Sequence, residues 1–217
     1  MARMKITMLR FSIFLVLIIT TLLSGCSDAI KQVETIADQI DPEIIEEAED
    51  YLEEQDINAG ELLIRAEIIA RAKSWVFEKV PYGSFDNNPN NDYYDGYRAD
   101  CSGFVSHAWK LKQGGAKFSA TTVSLSQFAN DITYGELMPG DAINNKRPSE
   151  IGHVVIFLLW LDKDHNRFVA LEENGSHGRA VQTELTLGSH PDGGYTIKEY
   201  NNAAPGPYYA QRLNTLP

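Results

Sequence analysis

Cysteine is scarce in this chain: 217 residues hold two, Cys26 and Cys101, with no Cys-x-x-Cys pair. That spacing excludes a disulfide framework and a paired-thiolate metal site. There is no His-Glu-x-x-His and no Gly-Lys-Ser/Thr phosphate cradle, so helical zinc peptidases and P-loop nucleotide enzymes are excluded. Ser102 lacks the Gly-x-Ser-x-Gly elbow of serine hydrolases. Glu172 and Glu173 are adjacent; on a strand their carboxylates diverge and cannot flank one glycosidic bond. Basic stripes are missing as well, which argues against a nucleic-acid partner. No metal or organic cofactor is implied.

What is present begins with a targeting pattern. Arg3, Lys5 and Arg10 form a basic start, Phe11 to Leu23 is almost wholly apolar, and Leu23-Ser24-Gly25-Cys26 follows. The apolar stretch is short for a spanning helix and ends in small residues, as cleavable export signals do. Leu-Ser-Gly-Cys resembles the bacterial lipobox, which implies lipid attachment at Cys26 and work outside the cytoplasm on a membrane face. Two acyl chains suffice for stable anchoring where one is marginal. Cys101 is then the single thiol left in an exported chain, and an unpaired thiol exposed to oxidation calls for a chemical reason.

The acidity is local. Residues 28–62 carry 13 acids and one Lys, whereas residues 63–217 are nearly neutral, with 15 basic and 17 acidic side chains. It therefore says little about a substrate. Ile30, Val33, Ala37 and Ile40, then Ile44, Ala48, Tyr51 and Leu52, predict two short acidic helices, with Asp41-Pro42 starting the second. They read equally as a spacer from the membrane or as a hairpin packed on the domain. The expected organisation is a signal over 1–25, an acidic helical tether over 26–60, and one domain over 61–217 with an α+β fold. Gly60 marks the boundary. Leu62, Ala66, Ile69, Ala72, Val76 and Val80 predict a helix stopped by Pro81. Residues 83–96 read as loop, and a short helix is expected from Cys101 to about Lys112. Val154–Leu161 and Phe168–Glu172 read as strands around a turn at Asp162–Asn166, and residues 186–206 as turns.

Cys101 is the candidate nucleophile. In the first turn of a helix, unsatisfied N–H groups and the positive dipole end favour thiolate over a thiol of pKa about 8.5. Gly103 leaves backbone N–H groups open as possible oxyanion donors. Cys101 shares a helix face with Phe104, Val105 and Ala108. Among five histidines, His153 sits at the mouth of the strand Val154-Val155-Ile156-Phe157, where a rigid element holds a general base. His107, His165, His177 and His190 are expected at solvated surface positions. A hairpin centred near residue 163 places the position opposite His153 within Glu172–Gly175. Glu172 is favoured to orient the imidazole, Asn174 is second, and Glu173 falls on the other face.

Asp100-Cys101-Ser102-Gly103-Phe104-Val105, Leu137-Met138-Pro139-Gly140-Asp141 and Gly152-His153-Val154-Val155-Ile156 together resemble the NlpC-type bacterial cell-wall cysteine peptidases of the papain-like superfamily, over about residues 64–185. The resemblance implies a Cys-bearing helix packed on an antiparallel sheet, and hydrolysis of amide bonds in peptidoglycan peptides. By the same resemblance Cys101, His153 and Glu172 are catalytic, Tyr82 and Asp100 line the site with Ser102, and Asp100 helps hold a substrate amine. Two departures stand out: Tyr82-Gly83-Ser84 replaces Tyr-x-Trp-Gly-Gly, and Glu172-Glu173-Asn174 looks more like the CHAP branch than a third histidine. An amidase or acyltransferase on the same fold, and a wall-binding lipoprotein without turnover, remain the alternatives.

Overall fold

The computed structural model describes residues 59–83, 92–148, 151–191, 194–200 and 203–216. The export signal, Cys26 and the acidic tether lie outside the described residues. The architecture is α+β, with few helices and one large antiparallel sheet.

Helix α1 spans Ala59–Glu78 and so runs through Gly60. Its deepest side chains are Arg65, Ile68, Ile69, Ala72 and Trp75: Ile69 and Ala72 belong to the expected stripe, whereas Arg65 and Trp75 take the places expected of Ala66 and Val76. The offset has an electrostatic cause. Arg65 donates to Glu61 and to the fully buried Asp141 (3.0 Å), so a charged residue takes a core position and Leu62 and Ala66 are only half-buried. The helix ends before Pro81: Lys79 adopts a left-handed φ of 53° and the Val80 N–H donates to the Trp75 carbonyl, a Schellman-type stop.

Two-residue strands β1 (Tyr93–Tyr94) and β2 (Tyr97–Arg98) form a small hairpin where loop was expected. Helix α2 then covers Cys101–Ala108 with all eight residues buried. It is one turn shorter than expected. Lys110 turns left-handed, the Leu111 N–H donates to the Ser106 carbonyl, and β3 (Lys112–Gln113) pairs with β4 (Ala116–Lys117) across Gly114-Gly115. Both glycines have positive φ, as a two-residue hairpin turn demands.

The main sheet comprises β5 (Ala129–Ile132), β6 (Ala142–Asn144), β7 (Val154–Trp160), β8 (Arg167–Asn174), β9 (Arg179–Ser189), β10 (Tyr195–Ile197) and β11 (Tyr209–Leu213). Its order is β10-β9-β8-β7-β6-β11-β5, with every pair antiparallel. Strands β9 and β10 occupy part of the segment read from sequence as turns. A bridge between Tyr195 and Tyr208 ties β10 back to the start of β11, so the sheet curls toward closure. One face, with Val154, Ile156, Leu171 and Ala180, packs on α1 and α2. Val155, Phe157, Phe168, Ala170, Leu185 and Tyr208 form a second core on the other face. Each fully buried Ile or Phe here is worth about 1.5–3 kcal/mol, and alternation along β7 and β8 supplies both cores.

Candidate active site

Two of the three sequence motifs, those of Cys101 and of Gly152-His153, meet in one place. Asp100 caps α2: its backbone is extended (φ −133°, ψ 175°) and its Oδ1 accepts from the Gly103 N–H at 2.6 Å. This sets Cys101 in the first helical turn, 7% exposed. The Gly103 N–H is thereby engaged and cannot serve an oxyanion. The reason for glycine is steric: a Cβ at Gly103 would lie 1.9 Å from the Arg98 carbonyl oxygen.

Gly152 and His153 approach from the sheet. A Cβ on Gly152 would meet the Arg147 carbonyl oxygen at 2.4 Å, so only glycine lets this turn pass. The Gly152 carbonyl lies 3.8 Å from Cys101 Sγ. Asn145 clamps the next residue, its Oδ1 accepting from the His153 N–H while its own N–H donates to the His153 carbonyl. The imidazole is thus fixed by backbone on both sides before its ring makes any contact.

The ring is held by Glu172. His153 Nε2 lies 2.8 Å from Glu172 Oε2, and Glu172 is fully buried. The pairing Ile156↔Leu171, continued three residues, sets His153 opposite Asn174, and the diagonal neighbour Glu172 reaches the ring. Asn174 supports that carboxylate instead, donating from Nδ2 to Oε2 at 2.9 Å. Tyr200 donates to Oε2 at 2.7 Å and Thr183 to Oε1 at 2.6 Å. Burial pushes the Glu172 carboxyl up, but bonds from His153, Thr183 and Tyr200 and the imidazole charge leave it below its ordinary value. Tyr200 also sets its ring edge-on to His153, with centroids 4.6 Å apart.

With Nε2 committed to Glu172, Nδ1 is the nitrogen left for Cys101. Burial drives the His153 imidazole down, but hydrogen bonding and charge from Cys101 and Glu172 outweigh it and lift the group to about 10. The charged ring is thereby favoured between a sulfur and a carboxylate.

The remaining expected residues divide. Tyr82 packs its ring over Gly175; burial, then Cys101, Asp100 and Glu173, push its hydroxyl well up. Asp100, the expected amine anchor, is already paired with Arg98 Nε at 2.7 Å. The Ser102 hydroxyl is likewise turned inward, donating to Asp100 and accepting from Arg98. Asp141, from Pro139-Gly140-Asp141, is structural: it is fully buried between Arg65 and Arg212 and accepts from the Met138 N–H.

His107 is not at a solvated surface. It is buried and stacked on Trp75, with centroids 4.9 Å apart, because α2 is enclosed on every side. His165 is half-buried and stacked on Trp160, His190 is half-buried, and His177 is exposed. Tyr200, Thr183 and Asn145 carry no local sequence signal, since each reaches the site from 8 or more residues away; Arg98 is a neighbour in sequence, two residues before Asp100, and is not read as its partner from sequence. Among the described residues no group of three or more His, Cys, Asp or Glu side chains is placed to hold a metal ion. No protein-family model matches the chain, and no curated protein matches it.

Proposed function

We propose that this chain is a lipid-anchored, extracytoplasmic cysteine hydrolase of papain-like, NlpC-type fold that cleaves amide bonds in peptidoglycan stem peptides. One observation carries the chemistry: Cys101, in the first turn of α2, is close enough to His153 to raise its imidazole, and the ring's Nε2 is held by the buried Glu172 carboxylate at 2.8 Å. Cys101 Sγ attacks the scissile carbonyl carbon, and the N–H groups of Cys101 and Ser102 face the oxyanion. His153 passes its proton to the departing amine, leaving a thioester. Neutral His153 then takes a proton from water, hydroxide attacks the thioester, and the free carboxylate and the Cys101–His153 pair are restored.

The lipid anchor rests on Leu23-Ser24-Gly25-Cys26, and the substrate on the three motifs that resemble the cell-wall peptidases. Digestion of purified peptidoglycan by the whole chain, with Cys101→Ala as control, is the test. Newly freed peptide termini with the wild-type chain alone support the reading, and identical muropeptide profiles overturn it.

A further inference from the structure

Helix α1 carries a second apolar stripe, on the side opposite the buried Arg65, Ile68, Ala72 and Trp75. Leu63, Ala66, Ala70 and Phe77 follow at steps of three, four and seven residues, and Lys73 takes the missing place. The five fall on one 3.5-residue repeat, the period at which a second helix seats its side chains knobs-into-holes. Leu63 is 61% exposed and Phe77 64%, and Ala66, Ala70 and Lys73 are half-buried. The ion pairs of α1 take up Arg65 and Arg71 but not Lys73. Burial lowers the Lys73 pKa, and no carboxylate among the described residues opposes it. A carboxylate brought to that ammonium removes the cost.

The acidic segment just before α1 fits this face in spacing and in charge. Its second expected helix, opened by Asp41-Pro42, carries Ile45, Ala48 and Leu52, and with Asp41 these keep the same 3.5-residue steps. Only residues 53–58 separate Leu52 from the start of α1 at Ala59, the length of a helix–helix turn, and a short turn makes its two helices antiparallel neighbours. In such a hairpin Leu52 falls opposite Leu63, Ala48 opposite Ala66, Ile45 opposite Ala70 and Asp41 opposite Lys73. Each pair is equidistant from the turn to within one residue. Residues 43–56 hold eight acids and no Lys or Arg, so self-repulsion disfavours this helix alone and packing has to supply its stability.

We propose that residues 41–55 fold back as a helix along the outer face of α1, seating Ile45, Ala48 and Leu52 on Leu63, Ala66 and Ala70 and pairing Asp41 with Lys73. Helix α2 packs on the Trp75 side of α1, so the docked helix stays clear of Cys101 and stands whether or not the thiol turns over. Under the lipid anchoring proposed above, docking also shortens the tether, leaving residues 27–40 to span from membrane to domain.

The test is amide hydrogen exchange of the whole chain, read by mass spectrometry on peptides covering 43–55, in the wild type and in Leu63→Glu, a change at an exposed position. Exchange in 43–55 is expected to be about tenfold or more slower in the wild type, with peptides of β7 exchanging alike in both. Lys73→Glu should speed exchange in 43–55, and Asp41→Lys added to Lys73→Glu should slow it again. Exchange at unstructured rates in the wild type overturns the docking, as does slow exchange that neither Leu63→Glu nor Lys73→Glu alters. Failure of the double variant to recover overturns the Asp41 pairing. Protection that grows with protein concentration from about 1 to about 100 µM assigns the face to a second copy and overturns the tether as its occupant.

Discussion

Glu172→Gln probes the candidate site most sharply, because it keeps the side chain's shape and removes its charge. In the folded chain His153 stands at about 10 against an ordinary 6.5. That rise favours the imidazolium by on the order of 5 kcal/mol. Cys101 and Glu172 supply it together against the cost of burial. With Glu172 neutral, Cys101 alone offsets that cost, and His153 should fall by about 1–2 pH units. Tyr200, Asn174 and Thr183 all donate to the carboxylate; one of them must then face an amide N–H₂, costing about 1–3 kcal/mol.

The assay is a titration of ring-labelled His153 by NMR beside turnover on peptidoglycan. Turnover should drop about 10²–10⁴-fold, the range for a misheld general base. The sign for stability follows from the same shift. The folded group titrates above the unfolded one, so its contribution is complete below pH 6.5 and is lost as pH climbs through about 10. Glu172→Gln should shrink that loss. An unchanged His153 titration with turnover within about twofold of wild type would refute the reasoning.

Two further outcomes are expected. Glu173 is fully buried with both oxygens unpartnered, and burial, then Asp100 and Glu172, push it up to about 8. Its folded state therefore loses stability as pH rises from 4.5 to about 8, so Glu173→Gln should gain about 1–3 kcal/mol in urea unfolding at pH 7 and nothing at pH 4. Asp141→Asn leaves Arg65 and Arg212 without their shared carboxylate and should cost about 3–5 kcal/mol in thermal unfolding, with no direct effect on Cys101.

The sequence made the Cys101–His153–Glu172 set legible because each member declares itself locally. Cys101 follows an N-cap, His153 opens an apolar strand, and hairpin counting brings Glu172 or Asn174 across from it. Counting did not separate those two, since the diagonal reach of Glu172 depends on side-chain direction rather than register. Gly103 misled because its constraint is tertiary: it answers the Arg98 carbonyl, as Gly152 answers the Arg147 carbonyl, and neither contact is visible in a linear motif. Asp100 reads as a free anion until Arg98 folds onto it, and His107 as a surface residue until α1 brings Trp75 over it. Strand β11 (Tyr209–Leu213) and the bridge from Tyr195 to Tyr208 escaped notice because short mixed strands have no period to detect, and sheet curling joins residues distant in sequence.

The central claim is that His153 holds Cys101 in a reactive form. Its direct measurement is the rate at which iodoacetamide modifies Cys101 at pH 6, mapped by peptide mass, in the wild-type chain and in His153→Ala. An ordinary thiol of pKa about 8.5 is only about 0.3% ionised at that pH. Modification about 10–100-fold faster in the wild type than in the variant is the expected result. Equal, slow rates in both would contradict it.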